Sequence, residues 1–161
     1  MTLTTYDEDL CRKIEPNVST TAERFEVLKT LRDAGIPTVV WLSSILPFIN
    51  DNEENLVGIL NICIEAKVRG IICFGMGVTL REGNREYFYE QLDRSFPGVK
   101  EKYVHTYGYQ YMLDSPHNGY LMQIFHDTCE KHGIMHDNEQ IFAYLSAFEE
   151  KENFKQLSLW D

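Results

Sequence analysis

The stretch that decides the fold is Ile36-Pro37-Thr38-Val39-Val40-Trp41-Leu42, a continuous apolar run with β-branched residues at its centre. Strands that are buried on both faces, as in parallel sheets, have uninterrupted apolar sequences of this kind. A helix comes before the run, because Thr20 and Glu23 form a capping box and Gly35 is placed to end the helix. The order of helix, glycine and buried strand predicts one unit of an α/β fold.

The same alternation continues on both sides of this unit. After it, Asp51 or Asn52 caps a further helix, and Gly70-Ile71-Ile72-Cys73-Phe74 forms the next apolar strand. Before it, Thr2-Leu3-Thr4-Thr5 has the sequence of the end of a buried strand and leads into an acidic helix start. Repeated β–α units predict right-handed crossovers and a parallel sheet. Three strands cannot close a barrel, so we expect an incomplete fold whose first part is missing.

The pattern changes after a third helix at residues 84–96, which is followed by Pro97-Gly98. From Gly98 onward the sequence predicts helices without clear strands. One of them carries Leu121 and Phe125 on an apolar face and ends at Gly133. We expect these helices to pack over the open edge or the face of the sheet.

Composition excludes several classes of protein. The chain has 161 residues, of which 43% are hydrophobic, and this content excludes disorder. A formal net charge of −10 argues against non-specific nucleic-acid binding by this chain alone, because such binding depends on basic patches. The sequence has no apolar run of the roughly 18 residues that a membrane span needs, and we expect a cytoplasmic protein that makes no membrane contact.

The chain has four cysteines, Cys11, Cys63, Cys73 and Cys129. No two of them lie within three residues of each other, so the sequence contains neither a zinc knuckle nor a compact iron–sulfur motif. Cys63 and Cys73 lie in apolar stretches and are predicted core residues. His126, Cys129 and His132 are spaced by three, but positions i and i+6 diverge on a helix, which favours structural roles over a metal site.

A tyrosine series with basic neighbours allows two interpretations. The series consists of Tyr103, Tyr107, Tyr109 and Tyr111. Such residues stack nucleobases in some binding grooves. More often they bury their rings in an amphipathic helix and keep their hydroxyls in water.

Ligand sites in parallel β/α folds collect at the carboxyl ends of the strands. Three polar or glycine-bearing loops follow the apolar strands here, at residues 4–9, 43–51 and 75–83. Each loop alone is also typical of an ordinary turn with a helix cap. Because all three would lie at the same edge, together they predict a ligand at the rim of the sheet.

Several segments, in this order, carry a resemblance to a known family. They are Thr4-Thr5-Tyr6-Asp7-Glu8, Lys13-Ile14-Glu15-Pro16, Glu23-Arg24-Phe25, Leu31-Arg32-Asp33-Ala34-Gly35-Ile36-Pro37, Leu46-Pro47-Phe48-Ile49-Asn50-Asp51 and Gly70-Ile71-Ile72-Cys73-Phe74-Gly75-Met76. The combination resembles the back half of a radical S-adenosylmethionine enzyme. Within that superfamily it is most similar to the spore photoproduct lyase-like group, often labelled DNA repair photolyases.

The resemblance implies an incomplete α/β fold, the last parallel strands of a (β/α)6 partial barrel. Residues 1–97 would be the back half of that barrel, residues 98–150 a C-terminal helical cap and residues 151–161 a tail. The family binds a four-iron four-sulfur cluster and S-adenosylmethionine, which it cleaves to generate a 5′-deoxyadenosyl radical that abstracts a substrate hydrogen. Its C-x3-C-x2-C cluster motif is absent from this chain. The cluster-bearing half is therefore expected upstream or on a partner subunit, and we expect the isolated chain to be inactive.

The resemblance also implies which residues contact the cofactor. The ribose or carboxylate of the cofactor would bind Thr4 and Thr5. The sulfonium and adenine would approach Ser43, Ser44, Leu46 and Pro47. The adenine side would be closed by Phe74, Gly75 and Met76. Glu15 and Arg24 recur together in the family and form either an ion pair that braces the loop or a direct cofactor contact. Two positions depart from the family pattern: Ser44 replaces a common proline, and Lys67 replaces a favoured glycine.

The C-terminal tail contains a second family-like segment, Gln156-Leu157-Ser158-Leu159-Trp160. It resembles the bacterial peptide that binds the DNA sliding clamp, with Gln156 for polar contacts and Leu157, Leu159 and Trp160 for apolar pockets. The alternative is a strap that packs on the chain's own core. The sequence thus leaves three hypotheses: part of a radical enzyme whose substrate is unknown, with DNA as a candidate; a non-enzymatic clamp-binding module; or an inactive gene remnant.

Overall fold

Three short parallel strands lie at the centre of the structure, and the second of them in the chain pairs with both the first and the third. The computed structural model describes residues 1–147. Its strands are β1 (Thr2–Leu3), β2 (Val39–Leu42), β3 (Gly70–Ile72), β4 (Gly77–Thr79) and β5 (Met112–Asp114). Its helices are α1 (Glu8–Ile14), α2 (Thr21–Asp33), α3 (Glu53–Glu65), α4 (Asn84–Ser95), α5 (Val99–Tyr107), α6 (Asn118–His132) and α7 (Asn138–Ser146).

The strand order β1-β2-β3 confirms the α/β class and the parallel sheet. Within residues 1–147 the strands do not close a barrel. None of the helices in this part of the chain is long and apolar enough to cross a membrane.

One face of the parallel sheet packs against helices, whereas the other is partly open. Val40 lies beside Ile71 in the register of β2 and β3, and both are fully buried in a cluster that includes Phe125 of α6. Trp41 points to the opposite face, because side chains alternate along a strand. It pairs with Thr2 of β1 and remains 40% exposed.

The helix caps agree with the sequence signals. The Thr20 hydroxyl accepts a hydrogen bond from the Glu23 backbone N–H, and the Glu23 carboxylate accepts one from the Thr20 backbone N–H. Of the two candidates for the start of α3, Asn52 is the cap. Asp51 is buried instead, and its carboxylate accepts a hydrogen bond from the Ser115 hydroxyl at 2.6 Å.

The prediction of helices without strands after Gly98 is wrong, because β5 pairs antiparallel with β4. Val78 lies opposite Leu113 in this register. The strands come close together at Gly77, where a Cβ atom would lie 2.6 Å from the Leu113 carbonyl oxygen. Both strands have only three residues, which is too short to give a periodic apolar pattern.

A second hydrophobic cluster, which we call the aromatic cluster, packs around this strand pair. Its buried members are Leu80, Leu92, Tyr103, Tyr107 and Leu113, and partly buried residues that pack on it are Phe48, Ile49, Val78, Phe88, Tyr89, Phe96 and Val99. These residues come from both sides of position 97, so the segments before and after that position share one packed core.

The tyrosine series divides between the two interpretations that the sequence allowed. Tyr103 is fully buried, and its ring meets the rings of Phe48 and Phe88 edge-on at centroid distances of 5.6 and 5.4 Å. Tyr107 is also buried, and its hydroxyl donates to the Asp114 carbonyl. Packing therefore accounts for these two tyrosines, whereas Tyr109 is 95% exposed.

Candidate functional site

Two neighbouring cavities open at the carboxyl ends of the three parallel strands. The larger has a volume of about 350 Å³ and is lined by Thr2, Thr4, Ile14, Glu15, Ser43, Ser44, Leu46, Val78 and Phe88. The smaller has a volume of about 210 Å³ and is lined by Trp41, Leu42, Ser43, Ser44, Phe74, Gly75, Gly77, Val78, Thr79, Met112 and Asp114. Ser43 and Ser44 line both cavities, and we call the combined concavity the carboxyl-edge site.

The loop after β2 places two hydroxyl groups at the middle of this site. Ser43 and Ser44 are half-buried, with their Oγ atoms 3.3 Å apart, and the peptide bond between them is cis. The Thr4 hydroxyl donates to the Ser43 carbonyl oxygen at 2.7 Å. This bond ties the loop after β1 to the loop after β2, so the polar groups of the two loops are held together.

Two buried asparagines hold the same loops in place through hydrogen bonds of their side-chain amides. The Asn55 side chain accepts hydrogen bonds from the Thr5 hydroxyl and the Tyr6 backbone N–H, and donates to the carbonyl oxygens of Thr4 and Asn50. Asn50 in turn donates to the Thr4 carbonyl and accepts from the backbone N–H at position 46. Because every polar atom of both amides has a partner, this network can be buried without a desolvation penalty for unpaired groups.

The expected ion pair between Glu15 and Arg24 is present at the rim of the site. Arg24 Nη1 lies 3.0 Å from Glu15 Oε2, and Nη2 lies 3.3 Å from Oε1, so the contact is bidentate. Arg24 Nη1 also donates to the Thr2 carbonyl oxygen at 3.3 Å. The side chains are only 12% and 26% exposed, which reduces screening by water. The pair therefore links the end of α1 to α2 and to the edge strand.

The residues proposed from the sequence differ in how they are placed. Thr4, Ser43, Ser44, Leu46, Phe74 and Gly75 line the carboxyl-edge site. The side chains of Thr5 and Met76 are fully buried, and Pro47 is buried as well. Thr5 holds Asn55, and the Met76 N–H donates to the Asn118 side chain. The Thr5 side chain thus supports the loops of the site, and cofactor contact by Thr5, Pro47 and Met76 stays a prediction.

An aromatic wall flanks the smaller cavity, and two of its three residues, Trp41 and Phe142, were not predicted from the sequence. Trp41, Phe74 and Phe142 contact one another with centroid distances of 5.9 to 6.3 Å, and they are 40%, 69% and 41% exposed. The alternation along β2 could have indicated Trp41, since its neighbours Val40 and Leu42 are predicted core. Phe142 comes from α7, and no local signal places that helix beside β2.

The four cysteines do not form a cluster-binding set. All are buried, and burial raises the pKa of the Cys63 and Cys129 thiols to about 12. Cys73 Sγ lies 3.8 Å from Met122 Sδ within the core. Among residues 1–147 there is no group of three histidine, cysteine or acidic side chains that would hold a metal ion. A four-iron four-sulfur cluster therefore does not fit the described residues.

Comparison with known proteins gives distant relatives. The uncharacterized protein Rv2578c of Mycobacterium tuberculosis is 28% identical over 107 residues, which is 66% of this chain and 31% of that protein. The uncharacterized protein Mb2609c of Mycobacterium bovis matches to the same extent. The match thus covers less than a third of the length of these relatives. No family model matches the chain, and no solved structure matches it.

Proposed function

We propose that the carboxyl-edge site binds S-adenosylmethionine and that the chain is the cofactor-closing part of a radical S-adenosylmethionine enzyme. The observation that carries the proposal is the meeting of Thr4, Ser43, Ser44, Phe74 and Gly75 at the ends of three parallel strands. These are residues that the family resemblance assigns to the cofactor. On this proposal the sheet is the last part of a (β/α)6 partial barrel.

The polar part of the site suits the ribose and methionine groups of this cofactor. The Ser43 and Ser44 hydroxyls are half-buried, and each can donate and accept a hydrogen bond. They project from a loop that Asn50 and Asn55 hold in place, so little ordering entropy would be lost on binding.

The apolar part of the site suits the adenine ring. Phe74 is 69% exposed at the cavity margin and is held by contacts with the Trp41 and Phe142 rings. Gly75 beside it has φ +121°, a conformation that side-chain-bearing residues rarely adopt, and it leaves room for a ring to approach the backbone. A flat ring stacked on Phe74 would cover apolar surface that is otherwise exposed to water.

The bound cofactor would supply the radical chemistry, and this chain's residues would bind and orient it. The cluster that such chemistry requires does not fit residues 1–147, so we assign its ligands to another part of a longer protein or to a partner subunit. The substrate stays open, with DNA as one candidate, because the fold and family do not define reaction specificity.

Equilibrium dialysis with labelled S-adenosylmethionine tests the binding step. We expect saturable binding, and Phe74→Ala should weaken it about two- to twelvefold, since an aromatic stacking contact contributes about 0.5–1.5 kcal/mol. The matched control is Tyr109→Ala, which removes an exposed ring outside the site. Absence of saturable binding, or equal losses in both variants, would contradict the proposal.

Anaerobic reconstitution with iron, sulfide and a reductant tests the division of roles. We expect no 5′-deoxyadenosine from this chain alone. Its formation by the isolated chain would show that the assignment of the cluster ligands elsewhere is wrong.

We propose sliding-clamp binding as a second function on the basis of the peptide Gln156-Leu157-Ser158-Leu159-Trp160, which lies outside the described residues. The two leucines and the tryptophan have the spacing of a groove-binding segment. Leu159→Ala and Trp160→Ala should each abolish binding to an immobilised bacterial clamp without changing helicity. If both variants still bind, the peptide does not carry this function.

A further inference from the structure

A third cavity lies beside the carboxyl-edge site, between the end of α1 and one face of α4. It has a volume of about 420 Å³ and is lined by Lys13, Ile14, Pro16, Leu46, Thr79, Leu80, Asn84, Tyr87, Phe88, Gln91, Leu92, Ser95 and Phe96. We call it the α1–α4 cavity. Its volume falls in the range of about 300–1,000 Å³ that is typical of small-molecule sites.

The lining combines an apolar interior with a few polar groups. Leu80 and Leu92 are buried members of the aromatic cluster, and Phe88 and Phe96 pack on that cluster. The neighbouring polar side chains, Asn84, Gln91 and Ser95, come from α4. An apolar pocket with a small number of polar groups on one rigid helix is the usual composition of a site for an organic ligand.

Lys13 is the single charged residue of this lining. Its Nζ atom lies 4.3 Å from the centre of the Phe96 ring, a cation–π contact that places the ammonium group at the cavity wall. Among residues 1–147, no carboxylate lies within ion-pair distance of Lys13. A cavity lined by one cation and no acidic residue is locally complementary to an anion.

We propose that the α1–α4 cavity binds a small aromatic carboxylic acid, with its ring among Phe88, Leu92 and Phe96 and its carboxylate on Lys13. The cavity shares Ile14, Leu46 and Phe88 with the larger cavity of the carboxyl-edge site, so this ligand would lie next to whatever occupies that edge. The proposal does not depend on the identity of the edge ligand.

The experiment is an NMR titration of the ¹⁵N-labelled chain with 2-naphthoate, in the absence of any nucleoside. We expect one saturable site, with the largest amide shifts in α4 and at the end of α1. Lys13→Met should weaken binding about tenfold, because it removes the partner of the carboxylate. Lys102→Met makes the same charge change at an exposed position on α5 and should leave affinity unchanged.

Two further arms separate a specific site from general adsorption. The neutral analogue 2-naphthalenemethanol should bind the wild type about tenfold more weakly than 2-naphthoate, and Lys13→Met should remove that difference. Ser95→Trp and Gln91→Trp each fill the cavity with a side chain from α4. A variant of this pair that retains the dispersed spectrum of the native fold should not bind 2-naphthoate. Non-saturable shifts, equal losses in the Lys13 and Lys102 variants, or full affinity in a folded cavity-filled variant would overturn the proposal.

Discussion

The parallel sheet and the β4–β5 strand pair are held together by different kinds of core. The cluster behind the parallel sheet is largely aliphatic, with α3 and α6 supplying leucine and isoleucine against Val40 and Ile71. The aromatic cluster instead surrounds the ring of Tyr103 with other rings. The first core is built from regular elements whose apolar residues repeat along the chain. The second depends on residues brought together from separate short elements.

The two regions also supply different walls of the candidate site. The strand ends and the buried asparagines of the first region hold Ser43 and Ser44 in place. The second region supplies the opposite wall, with Val78 lining both parts of the carboxyl-edge site. A variant that destabilises one of these regions should therefore disturb the wall supplied by that region more than the opposite wall.

The largest expected effect comes from breaking the aliphatic core. Phe125→Ala removes a fully buried ring of α6 and should lower the free energy of unfolding by about 3–5 kcal/mol, because it leaves a cavity. Val104→Ala, at a half-exposed position on α5, should change it by less than about 0.5 kcal/mol. Urea unfolding followed by circular dichroism measures both. A small loss for Phe125→Ala would mean that the sheet region is not packed as described.

The next effect concerns the amide network beneath the site. Asn55→Leu keeps the size of the side chain but leaves buried partners such as the Thr5 hydroxyl without a hydrogen bond. We expect a loss of about 3 kcal/mol, since each unsatisfied buried group costs about 1–3 kcal/mol. The control is Asn61→Leu, an exposed position on the same helix. Equal unfolding midpoints for the two variants would contradict the proposed role of Asn55.

A glycine pair tests the strand pairing of the second region. Gly77→Ala places a Cβ atom against the backbone of β5 and should destabilise the protein by about 1–3 kcal/mol. Gly119→Ala places a Cβ atom in open space on helix α6 and should stabilise the protein by about 0.5–1 kcal/mol. Thermal melts of the two variants should therefore shift in opposite directions. An unchanged or raised melting temperature for Gly77→Ala would show that β4 does not approach β5 closely.

The smallest expected changes in the free energy of unfolding come from removing two tyrosine hydroxyls of the aromatic cluster. The Tyr103 hydroxyl is buried without a hydrogen-bond partner among the described residues, and burial raises its pKa. Tyr103→Phe should therefore be neutral or stabilising by up to about 1 kcal/mol. Tyr107→Phe should cost about 1 kcal/mol, because that hydroxyl donates to the Asp114 carbonyl. Chemical denaturation of both variants checks the order, and a clear loss in Tyr103→Phe would point to a partner for its hydroxyl.

The sequence allowed prediction of the parallel sheet because its signals are local. The capping box at Thr20 and the apolar run at Val39–Leu42 each specify an element without reference to distant residues. The pairing of β4 with β5 was missed because two helices separate these three-residue strands along the chain. Their pairing is decided by tertiary contacts, such as the burial of Leu113 in the aromatic cluster.

The candidate site could be predicted in part for the same reason. Ser43 and Gly75 follow predicted strands directly, so their position at the sheet edge comes from the strand itself. The Phe142 side of the aromatic wall could not be predicted, because α7 reaches β3 only through the tertiary fold, where Ile141 packs close to Gly70. The burial of Thr5 and Met76 likewise depends on how the helices cover the strand ends.

The most direct test of the account is an NMR titration of the ¹⁵N-labelled chain with S-adenosylmethionine. If the carboxyl edge is the cofactor site, the largest saturable amide shifts should occur at Thr4, Ser43, Ser44, Phe74 and Gly75. The amides of Gln91 and Ser95, which line only the α1–α4 cavity, should move little. Shifts that fail to saturate, or that lie away from the strand ends, would contradict the central claim that this edge binds the cofactor.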